Sequence, residues 1–153
     1  MPTPSVTAAR TTAGPPSSRA ILWTFVAGLV STGIHYTHNF LYASDYPPAG
    51  PFVSDLAYQA GILLFWPTLT LWGAWGVHRY GQGRIRAALV PLAAWTMLGT
   101  TSPGHFLGGV PDIPAYAMFT ISTDFATGVV MLVLVGQAAG ALVRRTDVRD
   151  TAA

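Results

Sequence analysis

Charged residues are spaced along this chain so that four long segments have almost none. Residues 20–44, 56–78 and 87–111 contain no Arg, Lys, Asp or Glu, and residues 113–143 contain a single one, Asp124. A membrane-spanning α-helix needs about 20 apolar residues, whereas a membrane β-strand needs about 10 and alternates apolar with polar positions. The pattern therefore predicts four transmembrane helices, near residues 20–42, 56–78, 87–108 and 115–143.

The composition supports an all-α integral membrane protein, a four-transmembrane-helix bundle, and excludes several other classes. Of the 153 residues, 51% are hydrophobic and 9% are charged, whereas about a quarter are charged in a typical soluble domain. Because the chain has no cysteine, disulfides, thiolate metal sites and a cysteine nucleophile are excluded. The formal net charge of +2 is too small for a nucleic-acid-binding protein. The partner that the composition predicts is the lipid bilayer.

The arginines predict the orientation of the bundle. All eight lie before the first helix, between the second and third helices, or after the fourth: Arg10, Arg19, Arg79, Arg84, Arg86, Arg144, Arg145 and Arg149. The two loops on the opposite side contain Asp and no basic residue. By the positive-inside rule, this predicts a multi-pass protein of the cell membrane with both termini in the cytoplasm. We expect residues 1–19, rich in Pro, Ser, Thr and Ala, to form a disordered tail, and residues 144–153 to form a second cytoplasmic tail.

Polar side chains inside the predicted helices indicate where function lies, because such groups are costly in hydrocarbon. His105 lies at the outer end of the third predicted helix and Asp124 lies within the fourth. At about 1.5 Å of rise per residue, both fall between the midplane and the outer surface, at depths similar to the histidines of the first helix. That helix carries four polar side chains with the i, i+3, i+4, i+7 spacing of one face: His35, His38, Asn39 and Tyr42.

The leading hypothesis is a membrane-embedded isomerase- or cyclase-type enzyme that acts on a lipophilic, isoprenoid-like molecule. A carboxyl group in hydrocarbon can retain its proton, and a nearby imidazole can accept or relay it. Asp124 is then the general acid, and His35 and His105 are its proton partners. The predicted substrate-binding residues combine polar groups with aromatic walls: His38, Asn39, Tyr42, Trp66 and Trp95.

Other functions fit the same residues. Imidazoles with a carboxylate suit zinc, copper or iron, and a bis-histidine haem would pair His35 or His38 with His105. His-x-x-His lacks the Glu of a zincin helix, so we predict no metal ligands and leave the cofactor open. Interhelical hydrogen bonds that only fix packing are the simplest alternative.

A non-enzymatic membrane partner or a transporter subunit is a further alternative. Pro67, Pro91 and Pro103 are typical of broken helices that line a cavity. The spacings Gly104-x-x-x-Gly108 and Gly136-x-x-x-Gly140 suit close helix packing, within one chain or in a homo-oligomer.

The stretch His35-Tyr-Thr-His-Asn39, followed by Tyr46-Pro47-Pro48 and later by Gly104-His105-Phe-Leu107, resembles a group of small bacterial four-helix membrane proteins of unknown function. The resemblance extends over about residues 20–143 and implies the fold without an activity. The layout is also loosely similar to the EXPERA domain of sterol isomerases and sigma-2-type receptors. That similarity implies a pocket for a sterol-like molecule, although this chain contains no Glu and no individual residue is carried over.

Overall fold

A computed structural model describes residues 14–46 and 54–150 of the chain. The described residues form four α-helices and two short 3₁₀-helices, and no strand is present among them. The α-helices, numbered in chain order, are α1 (Ser18–Leu41), α2 (Asp55–Gly81), α3 (Ile85–Thr100) and α4 (Ala115–Asp150). The 3₁₀-helices are η1 (Ala43–Asp45), which follows α1, and η2 (Ser102–Phe106), which follows α3.

Local sequence signals set several helix ends. Ser17 and Ser54 precede α1 and α2 in extended conformation, and their side chains accept hydrogen bonds from the backbone N–H groups of Ala20 and Ala57. These are the capping interactions expected of serine at a helix N-terminus. Between α2 and α3 the chain turns at Gly83, whose φ of 75° lies in the left-handed region that glycine adopts without steric cost.

The third helix is shorter than predicted. Instead of extending over 87–108, α3 ends at Thr100, and η2 follows it. Pro103 explains the change, because proline has no N–H to continue the α-helical ladder and disfavours helical backbone at the preceding residue. Elsewhere, α2 continues three residues past its predicted end, to Gly81, Ser18 and Arg19 begin α1, and α4 continues to Asp150 through most of the predicted second tail. Residues 1–13 and 151–153 of the predicted tails lie outside the described residues.

The helices pack in a ring in which each contacts the next and α1 contacts α4. Ser31 bonds Thr123 and, one turn farther along α1, His35 bonds Thr120. Numbers therefore rise along α1 as they fall along α4, so these two helices are antiparallel.

Glycines at the centre of the bundle allow the closest helix contacts. Trp95 is 1% exposed and fills the space beside Gly73, where an added Cβ would lie 2.7 Å from the indole Cγ. At the contact between α3 and α4, a Cβ on Gly128 would lie 2.8 Å from the backbone nitrogen of Thr100, and one on Gly99 would meet the backbone of Asp124. Among the residues that the structure describes, Gly136 has open space around it, and none of them uses its predicted packing role.

Large apolar side chains cover much of the outer surface. Leu63, Leu64 and Phe65 on α2 are each more than 60% exposed. Three helices, α1, α2 and the Ala115–Arg145 part of α4, are long and apolar enough to cross a membrane. Exposed apolar surface of this extent marks association with a membrane.

Candidate functional site

The polar side chains of α1 point in two directions rather than forming one face. His35 and Asn39, each 1% exposed, point into the bundle. His38, which is 6% exposed, lies on the adjacent strip of the helix, and its ring stacks on that of Tyr42, the residue after α1, with centroids 4.8 Å apart. His35 and Asn39 thus form one i, i+4 pair inside the bundle. His38 and Tyr42 form a second pair beside the groove described below.

Inside the bundle, His35 and Asn39 meet His105, and we call these three residues the inner triad. The Nε2 atoms of His35 and His105 are 3.1 Å apart. The side-chain nitrogen of Asn39 lies 3.0 Å from Nε2 of His35 and 3.2 Å from Nε2 of His105. The structure therefore brings together two of the three predicted catalytic residues, with a predicted substrate-binding residue between them.

The inner triad is held in place from three elements. Nδ1 of His35 is 3.3 Å from Oγ1 of Thr120 on α4. The hydroxyl of Thr120 donates to the carbonyl of Ala117 at 2.7 Å, so its oxygen is free to accept the Nδ1 proton of His35. His105 belongs to η2. Because α3 ends at Thr100, the chain that follows it can place this side chain against His35. Tyr58 on α2 interacts with the side chain of Asn39.

Asp124 lies apart from the inner triad. Its side chain is fully buried, and neither carboxyl oxygen makes a hydrogen bond. The hydroxyls of Ser31 and Ser102 are close enough to interact with the carboxyl group without reaching hydrogen-bond geometry. Asp124 is one helical turn from Thr120, the residue that contacts His35. In the described part of the chain, no hydrogen bond or ion pair joins Asp124 to an imidazole.

On the outer side of α1, an open groove of about 850 Å³ runs between Trp66 of α2 and Tyr116 of α4. Its lining is mostly aliphatic and aromatic: Leu29, Val30, Gly33, Ile34, Thr37, His38, Leu41, Tyr42, Trp66 and Tyr116. The indole N–H of Trp66 donates to Thr32 at 3.1 Å, and the hydroxyl of Thr37 donates to the carbonyl of Gly33 at 2.6 Å. His38 is the one imidazole among the lining residues.

His38 is tied to the segment that follows α1. Its Nδ1 is 2.8 Å from the hydroxyl of Tyr46, and its ring lies edge-on to the ring of Tyr116. The ring of Tyr46 also contacts the ring of His105, with centroids 4.8 Å apart. Tyr46 therefore lies between the groove and the inner triad.

Burial raises the pKa of Tyr46 above the usual value for a tyrosine, and the nearby Tyr58, Tyr116 and Asp45 raise it further. The phenol consequently keeps its proton over the physiological range. When Nδ1 of a neutral His38 ring carries the proton and donates it to the hydroxyl oxygen of Tyr46, the lone pair on Nε2 is left free.

The structure divides the predicted site. Of the five predicted substrate-binding residues, His38, Tyr42 and Trp66 line the groove, Asn39 belongs to the inner triad, and Trp95 packs in the core against Phe25. The predicted catalytic residues His35, His105 and Asp124 do not line the groove.

Several residues of the site were missed by reasoning from sequence: Tyr46, Tyr58, Tyr116, Ser31 and Thr120. Tyr46 had a usable signal, because a tyrosine placed just after a helix that ends in His-x-x-x-Tyr can fold back onto that helix. The contacts of the others depend on which helices become neighbours, and the spacing along the chain does not determine this.

The two imidazole nitrogens of the inner triad are closer together than the two axial ligands of a haem iron. Two axial imidazoles on one iron require nitrogens about 4 Å apart, twice a metal–nitrogen bond of about 2 Å, and a porphyrin plane must fit between the rings. The Nε2 atoms of His35 and His105 are 3.1 Å apart. Among the described residues, no group of three or more His, Cys, Asp or Glu side chains is arranged to hold a metal ion.

Comparison of the chain with protein-family models, with curated proteins and with solved structures found no match. The resemblances seen in the sequence therefore stay predictions.

Proposed function

We propose that the chain crosses the membrane four times and that both termini face the cytoplasm. The 16 residues of α3 extend about 24 Å and the five residues of η2 about 10 Å, which together suit a hydrocarbon core of about 30 Å. The turn between α2 and α3 carries Arg84 and is flanked by Arg79 and Arg86, whereas Asp45 and Asp112 both lie in the connections at the other end of the bundle. The groove and the inner triad then lie in the outer half of the bilayer.

Within that membrane the protein acts as an isomerase on a lipophilic, isoprenoid-like molecule that enters the groove sideways from the lipid. The observation that carries this proposal is the apolar groove with a single imidazole, His38, in its lining. Val30, Ile34 and Leu41 line the groove and are 51–63% exposed, so the groove opens directly toward lipid. A molecule with one polar end and an apolar body matches such a lining.

The chemistry that suits the lining is the movement of a proton between two carbons of the bound molecule. An imidazole fixed by Tyr46 can remove a proton from a carbon next to a carbonyl or a double bond and return it farther along the chain. The double bond shifts, and the molecule keeps its composition and oxidation state. Nδ1–H of His38 donates to the hydroxyl oxygen of Tyr46 throughout, and the lone pair on Nε2 takes the proton from one carbon and returns it to the other.

An isomerase is favoured over a cyclase. A cyclisation that begins by protonating an isolated double bond needs a stronger acid than imidazole, and a carboxylic acid is the side chain that supplies it. The buried carboxyl group of the described residues, Asp124, does not line the groove. Asp124 as general acid therefore requires a rearrangement that His38 does not require.

The experiment is to block the groove without disturbing the bundle. A Cβ at Gly33 would make only ordinary contact with Trp66, 3.7 Å away, so Gly33→Leu is expected to fold and to fill the groove. The matched control is Gly136→Leu, at a position with open space. Lipids extracted from the purified proteins are compared by mass spectrometry. We expect a bound molecule in the wild type and in Gly136→Leu, at least ten-fold depleted in Gly33→Leu. Equal amounts in all three proteins would contradict the proposal.

A further inference from the structure

The three contacts within the inner triad cannot all be hydrogen bonds. Nε2 of a neutral histidine either donates or accepts, an amide nitrogen only donates, and an amide oxygen only accepts. When three such atoms contact one another pairwise, at least one contact must join two donors or two acceptors, whatever tautomers are chosen. The distances of 3.0, 3.1 and 3.2 Å make all three contacts close.

The amide of Asn39 adds a second mismatch. Its nitrogen faces the two imidazoles, while its oxygen is buried without a hydrogen-bond partner. The two ends of an amide occupy nearly the same space and are assigned from their surroundings. With the amide turned over, its oxygen joins the two Nε2 atoms, and three lone pairs converge on one point.

We propose that Nε2 of His35, Nε2 of His105 and the side-chain oxygen of Asn39 form a site for a divalent first-row transition-metal ion, of which Zn²⁺ is the best match. A cation accepts all three lone pairs at once, which removes both mismatches. Two neutral imidazoles and one oxygen, without a thiolate, are a donor set that suits Zn²⁺ or Cu²⁺ better than Ca²⁺ or Mg²⁺. The site is independent of the proposed isomerase function.

The separations between the three donors fit an ion of this kind. With metal–ligand bonds of about 2.0–2.1 Å, neighbouring donors of a tetrahedral ion are about 3.3 Å apart. The observed separations of 3.0–3.2 Å need only a small expansion. An ion at bonding distance from three atoms so spaced lies about 1 Å out of their plane, which leaves its fourth position open.

The surroundings of His35 also suit a ligand. The Nδ1 of a metal-bound histidine usually donates to a fixed oxygen, which orients the ring and leaves Nε2 for the metal. Thr120 supplies that oxygen to His35. His105 is only partly buried, so an ion can enter from the outer end of the bundle.

The test uses the full-length protein purified in detergent without a polyhistidine tag and treated with a chelator. Zn²⁺ binding is measured by calorimetry, and Co²⁺ is added separately because its visible absorption reports tetrahedral coordination. We expect one ion per chain in the wild type and at least a hundred-fold weaker binding in His35→Ala and His105→Ala. The control His78→Ala, at an exposed position bonded to Gln82, is expected to bind as the wild type does.

Two further variants keep the proposal falsifiable if an alanine variant fails to fold. Asn39→Asp retains the shape of the side chain and replaces an amide oxygen with a stronger carboxylate ligand, so Zn²⁺ should bind at least ten-fold more tightly. Thr120→Val removes the oxygen that accepts the Nδ1 proton of His35, and it should weaken Zn²⁺ binding by about 10–100-fold. A hydrogen-bonded cluster without metal predicts neither change. Absence of stoichiometric Zn²⁺ and Co²⁺ binding in the wild type, or binding unaffected by Asn39→Asp and the histidine variants, would overturn the proposal.

Discussion

The hydroxyl of Tyr46 lies 2.8 Å from Nδ1 of His38, eight residues earlier in the chain. The contact forms because η1 turns the chain back across the end of α1. It fixes the imidazole that lines the groove, and the same tyrosine ring rests against His105 of the inner triad. One aromatic side chain thus supports both polar features of the outer half of the bundle.

Tyr46→Phe separates these two supports. The substitution removes the hydroxyl beside His38 and keeps the ring beside His105, so we expect the bundle to fold and the groove to retain its ligand. Turnover of the bound molecule should fall by about 10–100-fold, because His38 loses the group that orients it. Turnover and extracted ligand are measured on the same preparation. Unchanged turnover would show that Tyr46 does not position the reacting group.

Tyr46 should also have a distinctive titration. Because burial raises its pKa, the phenol should stay protonated well above pH 10, the usual tyrosine value. The ultraviolet absorbance of tyrosinate should therefore be the same in the wild type and in Tyr46→Phe up to about pH 11. In the unfolded chain Tyr46 ionises near pH 10, so its contribution to stability is fully present below that pH and is lost as the pH rises above it. If the wild type shows one more tyrosinate than Tyr46→Phe at pH 10–11, Tyr46 does not have the buried environment described.

Gly99→Ala should be strongly destabilising. A Cβ at this position would meet the backbone of Asp124, and backbone cannot move aside as a flexible side chain can. We expect a loss of about 3 kcal/mol, near the upper end for an overpacked site. The matched control is Gly136→Ala, where the added methyl group meets open space and alanine has the better helix propensity. Thermal unfolding in detergent is the measurement. Equal stability of the two variants would mean that α3 and α4 do not approach as described.

The orientation can be tested directly, because the chain has no native cysteine. Asp112→Cys lies between α3 and α4, and Gly83→Cys lies in the turn between α2 and α3. A maleimide that cannot cross membranes should label the first in intact cells and the second only after lysis. Labelling of both variants in intact cells, or of Gly83→Cys alone, would refute the proposed topology.

The fold was largely predictable from the sequence, because charges are expensive in hydrocarbon and their absence therefore marks the four helical segments. The end of α3 was predicted eight residues too far along the chain. The uncharged segment continues past Pro103, whereas the α-helical backbone does not. The meeting of His35 with His105 was also predicted, because both lie at similar depth.

The division of the site was not predictable in the same way. Spacing of i, i+3, i+4, i+7 defines one broad face, and a face of that width reaches both the bundle interior and the groove beside it. His38 is 6% exposed, and whether it joins His35 in the inner triad or lines the groove depends on how α1 is rotated against α4, which is decided by contacts such as Ser31 with Thr123. Trp95 was predicted to bind the substrate, but it lies in the core, where Gly28 on α1 and Gly73 on α2 leave room for its ring.

The most direct test of the central claim is proton exchange between solvent and the bound molecule. Protein purified with its bound molecule is incubated in D₂O, and the mass of the extracted molecule is then measured by mass spectrometry. If His38 moves a proton on that molecule, deuterium should be incorporated by the wild type, by Asp124→Asn and by the control His78→Phe, and incorporation should be lost in His38→Phe. Incorporation that persists in His38→Phe and disappears in Asp124→Asn would contradict the account and return the acid–base role to Asp124.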